Sequence, residues 1–157
     1  MRQWITLCET KKIVTPDAID TRDRLGALLL AVRHKLIHDR TSNYGDCELV
    51  AEEFLSYARG EGLVMVDPNN PHEGEGEVVL GYRAYDEAWC KRFKGYVPEP
   101  GQHQWVEING MIYDGTADQF GERKHEVFVT AASDPRYRVH QRSSHSFMRA
   151  TRFPSSY

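Results

Sequence analysis

The chain has 157 residues and a mass of 18.1 kDa, room for one domain with a real core and too little for two comfortable ones. Charged residues make up 27% and the hydrophobic set 40%, ordinary for a globular fold, and a net charge of -3 argues against a dedicated nucleic-acid binder. The longest apolar run, Leu25 to Val32, contains Gly26 and is far too short to cross a bilayer, and MRQWITLCETKK lacks the apolar stretch a secretory signal needs.

Thr15-Pro16-Asp17 opens a helix: Thr15 caps, Pro16 sits where the amide needs no partner, and Asp17 suits the positive end. Ile19, Leu25, Leu28, Leu29, Val32 and Leu36 recur at helical spacing and carry it to near Asp39. A polar loop, Arg40 to Gly45, leads to Asp46 as the cap of a second helix. Val50, Phe54, Leu55 and Ala58 form its buried stripe, and Gly60 to Gly62 stop it. From there the period shifts toward two. Leu63 to Val66 reads as a strand, Asp67 to Pro71 as a turn, Val78 to Tyr85 as a second strand and Asp86 to Phe93 as a short helix. His103 to Ile108, Met111 to Tyr113, His125 to Thr130 and Tyr137 to Gln141 supply the remaining strands. Helices first and strands afterwards predict a single α+β domain, N-terminal helices packed on an antiparallel sheet, with its core at about residues 40–141.

The most informative stretch is HQWVEINGMIYDGTADQF, residues 103–120. Asn109-Gly110 between two alternating runs is a strong hairpin signal, because both turn positions need positive φ. A two-residue turn pairs Ile108 with Met111, Val106 with Tyr113, Trp105 with Asp114 and His103 with Thr116. Val106, Ile108, Met111 and Tyr113 then share a core face, and His103, Trp105, Glu107, Ile112 and Asp114 share the other. On that second face His103 and Asp114 are diagonal neighbours within side-chain reach. An imidazole held by a carboxylate keeps one tautomer and tolerates becoming imidazolium, as a general base must. The plainer alternative is a surface His and Asp on a solvated sheet face.

Three cysteines, Cys8, Cys47 and Cys90, form an odd set without regular spacing. That speaks against a disulfide framework and for a reducing, cytoplasmic setting. Cys47 falls in the first turn of the second helix, where unpaired amides and the helix dipole favour thiolate over thiol. The same amides can donate to an oxyanion. The alternative is a small core residue on the stripe that holds Val50 and Phe54. A Cys at a helix start followed by a His–Asp hairpin is a less accidental combination than any of its parts.

Cys opening a helix, with His and Asp on adjacent strands, resembles the papain-like cysteine enzymes. The closer resemblance is to their transglutaminase-like branch, through His103, Trp105, Val106, Glu107, Ile108, Gly110, Tyr113, Asp114 and Thr116 in the pattern H-x-W-V-E-I…G…I-Y-D-x-T. It covers roughly residues 40–120. It implies a papain/transglutaminase-like core with Cys47 as nucleophile, His103 as general base and then acid, and Asp114 as the residue that orients it. It also implies an oxyanion hole built from the nucleophile's amide and an upstream polar side chain, for which Asn43 and Tyr44 are the candidates. Trp105 is expected to wall the site, and Gln119 to hydrogen-bond across it. The implied chemistry is attack on a carboxamide or acyl carbon of a protein, peptide or other amide substrate through a thioester, with no cofactor and no metal. The helix before Cys47 and everything after Phe120 lie outside the matched pattern.

Other constellations compete. Gly45-Asp46-Cys47 is similar to the start of the nucleophile helix in NlpC/P60-type peptidoglycan peptidases, although Glu48 and Leu49 stand where small residues are expected. A non-enzymatic binding protein on the same fold is a third reading. His34 and His38 stand at i and i+4, a metal-ligand spacing, without the HExxH arrangement. Histidines favouring the negative end of a helix explain them more simply. Cys90 has Lys91 and Arg92 beside it, and is read as packing, with Trp89 and Phe93 as core anchors. Finally, the charge is split. Residues 1–134 carry all 23 acidic side chains against 15 basic ones, a charge of -8, whereas residues 135–157 carry +5 from Arg136, Arg138, Arg142, Arg149 and Arg152. That basic segment either contacts an anionic partner or lies against the acidic body.

Overall fold

The computed structural model describes residues 16–121 and 126–142. Cys8, Thr15, His125, Arg149 and Arg152 lie outside these residues, as do the side chains of residues 16–20 and 71–73.

Among the described residues two helices come first: α1, Pro16–Ile37, and α2, Asp46–Gly60. α1 ends where His38 turns into the left-handed region at φ 56°. α2 begins one residue earlier than a cap at Asp46 would place it. Gly45 holds the cap position at φ 98°, a conformation without penalty only for glycine, and Asp46 is the first helical residue. Its carboxylate instead accepts from the Asn43 amide at 2.6 Å and from both Arg40 guanidinium nitrogens, at 2.7 and 3.1 Å. The loop before Cys47 is thereby tied back to the helix it introduces.

Seven strands follow. β1, Val66–Asp67, and β2, Asn70–Gly74, form a small antiparallel pair of their own. The expected strand Leu63 to Val66 shrinks to β1, and the expected turn through Pro71 closes by Asn70, where β2 starts. β3, Glu77–Arg83, β4, Gly101–Ile108, β5, Met111–Asp114, β6, Phe128–Ala131, and β7, Tyr137–Arg142, build a five-stranded antiparallel sheet in the order β6-β5-β4-β3-β7. Between β3 and β4 lies α3, Glu87–Arg92, and after β5 a 3-10 turn, Ala117–Phe120. The fold is α+β, as the order of helical and alternating segments predicts.

The β4–β5 turn has the expected form, with Asn109 at φ 49° and Gly110 at φ 77°. Its ladder pairs Ile108 with Met111, Glu107 with Ile112 and Val106 with Tyr113, and ends there. The predicted pairs Trp105–Asp114 and His103–Thr116 are absent from it, and Asp114 pairs with Phe128 of β6.

Both faces of the sheet are covered. Leu25, Leu29 and Val32 of α1 and Val50, Phe54, Leu55 and Ala58 of α2 pack on Val78, Val106, Ile108, Met111, Tyr113 and Val129. The opposite face carries a second, smaller core of Val79, Trp105, Ile112 and Tyr137, flanked by Phe128 and Ala132. A solvated second face is therefore excluded. β7, which adds to β3 at the sheet edge, contributes Tyr137, opposite Arg83, to this second core. Among the described residues no helix is long and apolar enough to cross a membrane.

Candidate active site

His103 and Asp114 are both fully buried, at 0% exposure, and His103 Nε2 stands 2.8 Å from Asp114 Oδ2. β4 runs past the end of its ladder with β5, so His103 lies beyond the last paired residues. Two further donors hold the carboxylate. The Tyr137 hydroxyl donates to Oδ2 at 2.8 Å, and the Thr116 amide donates to Oδ1 at 3.0 Å. With Nε2 committed to Asp114, the other ring nitrogen, Nδ1, is buried without a well-formed hydrogen bond. Cys47, 2% exposed in the first turn of α2, is the thiol that bears on this imidazole.

The electrostatics follow from burial opposed by charge. Burial works against a charged imidazole, but the Asp114 charge and hydrogen bond outweigh it, and Cys47 adds to them, so the His103 pKa is raised to about 9. Burial equally works against an ionised Asp114. The His103 charge and hydrogen bond, then the Arg83 charge and the Thr116 amide, nevertheless hold its carboxyl below the usual carboxylate range. The Tyr137 phenol is pushed well above its ordinary value, first by burial and then by the Asp114 charge. Arg83 is itself fully buried; its Cζ lies 4.9 Å from the Tyr137 ring and its guanidinium donates to Asp86 Oδ1 at 2.7 Å.

The remaining expected site residues divide. Gln119 reaches across to the loop before Cys47, where its Nε2 donates to the Asn43 carbonyl at 2.6 Å. Tyr44, 58% exposed, donates from its hydroxyl to Gln102 Oε1 at 3.2 Å, one residue before His103. Asn43 is also exposed, and its backbone is what the neighbours use. Trp105 does not wall an open cleft. It is fully buried, its ring 6.1 Å from His103 and 4.9 Å from Tyr137, and it forms part of the second core behind the imidazole.

Two elements of the site are not apparent from spacing. One is Tyr137. The other is a buried ion pair, in which the Arg33 guanidinium grips Asp118 at 3.0 and 3.2 Å and donates to the Gly115 carbonyl at 2.7 Å. The same carboxylate accepts from the Ser42 amide at 3.0 Å and from the Ser42 hydroxyl. α1, the loop before Cys47 and the 3-10 turn after Asp114 are thus fixed to one another. A signal for Arg33 existed: it lies four residues after Leu29 and four before Ile37, both buried, on the apolar stripe of α1.

The rival clusters stay apart from this centre. The His34 and His38 rings meet edge to face at 6.0 Å, and exposed His34 pairs with Asp39 at 3.4 Å. Cys90 is buried, but Phe93 is 52% exposed and anchors no core. It closes an aromatic row with Trp89 at 4.3 Å, Tyr85 and Phe120, and Phe120 in turn stands 4.8 Å from His103. Arg136 and Arg142 of the basic segment pair with acids of the body: Arg136 with Asp86 and Asp134, Arg142 with Glu77 and Glu107. No protein-family model, curated protein or solved structure matches the chain.

Proposed function

We propose that this chain is a cysteine-dependent hydrolase or acyltransferase with a papain/transglutaminase-like core, acting on an amide or acyl carbon. The observation that carries the reading is a buried imidazole held by a carboxylate at 2.8 Å, with the thiol of a helix first turn near enough to act on it. In that arrangement the imidazole can take up the thiol's proton as sulfur attacks. In the mechanism, Cys47 sulfur attacks the carboxamide carbon and a carbon–sulfur bond forms. The Cys47 amide, at the positive end of α2, donates to the oxyanion in this scheme. The carbon–nitrogen bond then breaks as His103 delivers its proton to the leaving amine. Water or a second amine, deprotonated by His103, releases the acyl group from the thioester. Asp114 holds the imidazole throughout. The substrate class is a protein, a peptide or another amide, and Arg138, exposed on β7, is the described residue left for an anionic partner.

One observation favours a second reading, a purely structural network: Cys47 is 2% exposed and His103 not at all. Alkylation separates the two. Iodoacetamide is applied near pH 6, about 2.5 units below the pKa of a free cysteine, to the full chain and to a Tyr44→Ala variant that loosens the loop before Cys47. Mass spectrometry then reads the label on each cysteine. Faster labelling of Cys47 than of Cys8 and Cys90, abolished in Cys47→Ala, is the expected result. A Cys47 no more reactive than the other two in both proteins would sink the catalytic reading.

A further inference from the structure

The Asp114 carboxylate engages more donors than holding His103 requires. Oδ2 receives both the imidazole and the Tyr137 hydroxyl, each at 2.8 Å, while Oδ1 has the Thr116 amide. Tyr137 arrives from β7, 23 residues further along the chain than Asp114. Its ring packs edge to face on Trp105 at 4.9 Å and stacks on Phe128 at 6.4 Å, with the Arg83 guanidinium above it. Packing of that kind needs only the ring. A phenylalanine would fill the same space without burying a hydroxyl, which is unfavourable unless the group is bonded. This hydroxyl donates to the oxygen that faces His103, and the Arg83 guanidinium also bonds to the hydroxyl.

We propose that Tyr137 is a positioning residue of the cysteine site, its hydroxyl fixing the Asp114 carboxylate and setting how tightly His103 holds its proton. The inference rests on the catalytic reading of Cys47 and His103. A histidine in that role has two demands on it. It must keep a proton to pair with the thiolate, and it must give that proton up to the leaving amine. A lone buried carboxylate serves the first demand and works against the second. A hydrogen bond donated to the carboxylate draws negative charge from it and makes it a weaker base. Because Tyr137 donates to Oδ2 itself, it competes with His103 for the same oxygen. The groups acting on this centre come from four elements: Cys47 from α2, Asp114 from β5, Tyr137 from β7 and Arg83 from β3. Arg83 pulls in the same direction as the phenol, and Asp86 partly offsets it, being itself paired with Arg136 at 3.0 Å.

The test is the titration of His103, followed by imidazole nitrogen NMR on the full chain and assigned with His103→Gln. Two perturbations of opposite sign are compared. Tyr137→Phe removes the donor and is expected to raise the His103 midpoint by about half to one pH unit, roughly a three- to tenfold gain in proton affinity. Site-specific Tyr137→3-fluorotyrosine keeps the ring and strengthens the donor, and is expected to lower the midpoint. The alkaline limb of Cys47 alkylation moves with it in each case. Midpoints that stay put, or that move the same way in both variants, overturn the proposal. If Tyr137→Phe loses the native spectrum, the fluorinated protein alone decides. A failure here leaves Cys47 alkylation at pH 6 intact, so it is distinguishable from a failure of the catalytic reading, in which Cys47 is inert whatever His103 does.

Discussion

Breaking the Arg33–Asp118 pair should be costly well beyond an ordinary surface charge. Both side chains are buried, at 1% and 0% exposure, and Asp118 satisfies two guanidinium nitrogens together with the amide and hydroxyl of Ser42. Asp118→Ala leaves a guanidinium in the interior with only the Gly115 and Arg40 carbonyls, at 2.7 and 2.9 Å, to receive it. Removing one partner of a buried pair costs about 3–5 kcal/mol, chiefly because the survivor's charge is stranded. For a chain of this size each kcal/mol lowers the melting temperature by about 2–4 °C, so a fall of roughly 6–20 °C is expected. Arg33→Met should cost less, since it strands a carboxylate that still keeps both Ser42 donors. The double variant should recover much of the loss, because no unpaired charge remains. Urea unfolding of the four proteins closes the cycle. Single variants within 1 kcal/mol of the parent, or losses that simply add in the double variant, would refute the argument.

The pH dependence of stability has a definite sign. His103 has its pKa raised to about 9, so its contribution is complete below the ordinary imidazole pKa of about 6.5 and is lost as pH rises toward 9. Asp114 is depressed, so its contribution is complete above the ordinary carboxylate pKa and is lost as pH falls through the lower folded value. Urea midpoints should therefore decline from about pH 6.5 to 9 in the parent and stay flatter in His103→Gln; parallel declines would contradict the pairing. Packing makes a separate prediction. Phe54→Ala empties a fully buried site in the helical layer and should cost about 3–5 kcal/mol. Gly81→Ala should be at least as harmful to the sheet, since its Cβ would stand 2.2 Å from the Arg138 carbonyl oxygen and 2.6 Å from Trp105. Calorimetry that finds either variant as stable as the parent would count against the described packing.

Local signals carried most of the fold. α1 and α2 follow from apolar residues at helical spacing, and the β4–β5 hairpin from Asn109-Gly110, because these patterns act between near neighbours. β2 was hidden in a segment rich in turn residues, where Asn70 and Pro71 read as punctuation although a partner strand recruits them. The His103–Asp114 proximity was legible because a two-residue turn fixes register. The burial of that face was not. It depends on β7 pairing with β3, a contact between residues more than 50 positions apart, and no alternation within β3 announces which strand will lie beside it. Tyr137 falls inside a strand the sequence predicts, yet its bond to Asp114 is invisible without that pairing. Asp118 looks like an ordinary surface charge, and Arg33 like a charge out of place on an apolar stripe, until the helix and the 3-10 turn meet.

The loop that leads into Cys47 is anchored in the interior at Ser42, whose amide and hydroxyl donate to Asp118, and is tied by exposed bonds on either side of it. Gln119 to the Asn43 carbonyl, Tyr44 to Gln102 and Arg40 to Asp46 are bonds at the exposed end of the molecule, none of them covered by a core. Solvent competes for each of these bonds, so their rupture is a local event, far below global unfolding in free energy. For an alkylating reagent the observed rate at the thiol is then the product of two quantities: the fraction of time this loop stands away and the intrinsic speed of sulfur once reached. Substitutions at Tyr44 or Gln119 act on the first and those at Asp114 on the second. A chain with identical thiol chemistry can therefore look inert or fast according to three exposed hydrogen bonds.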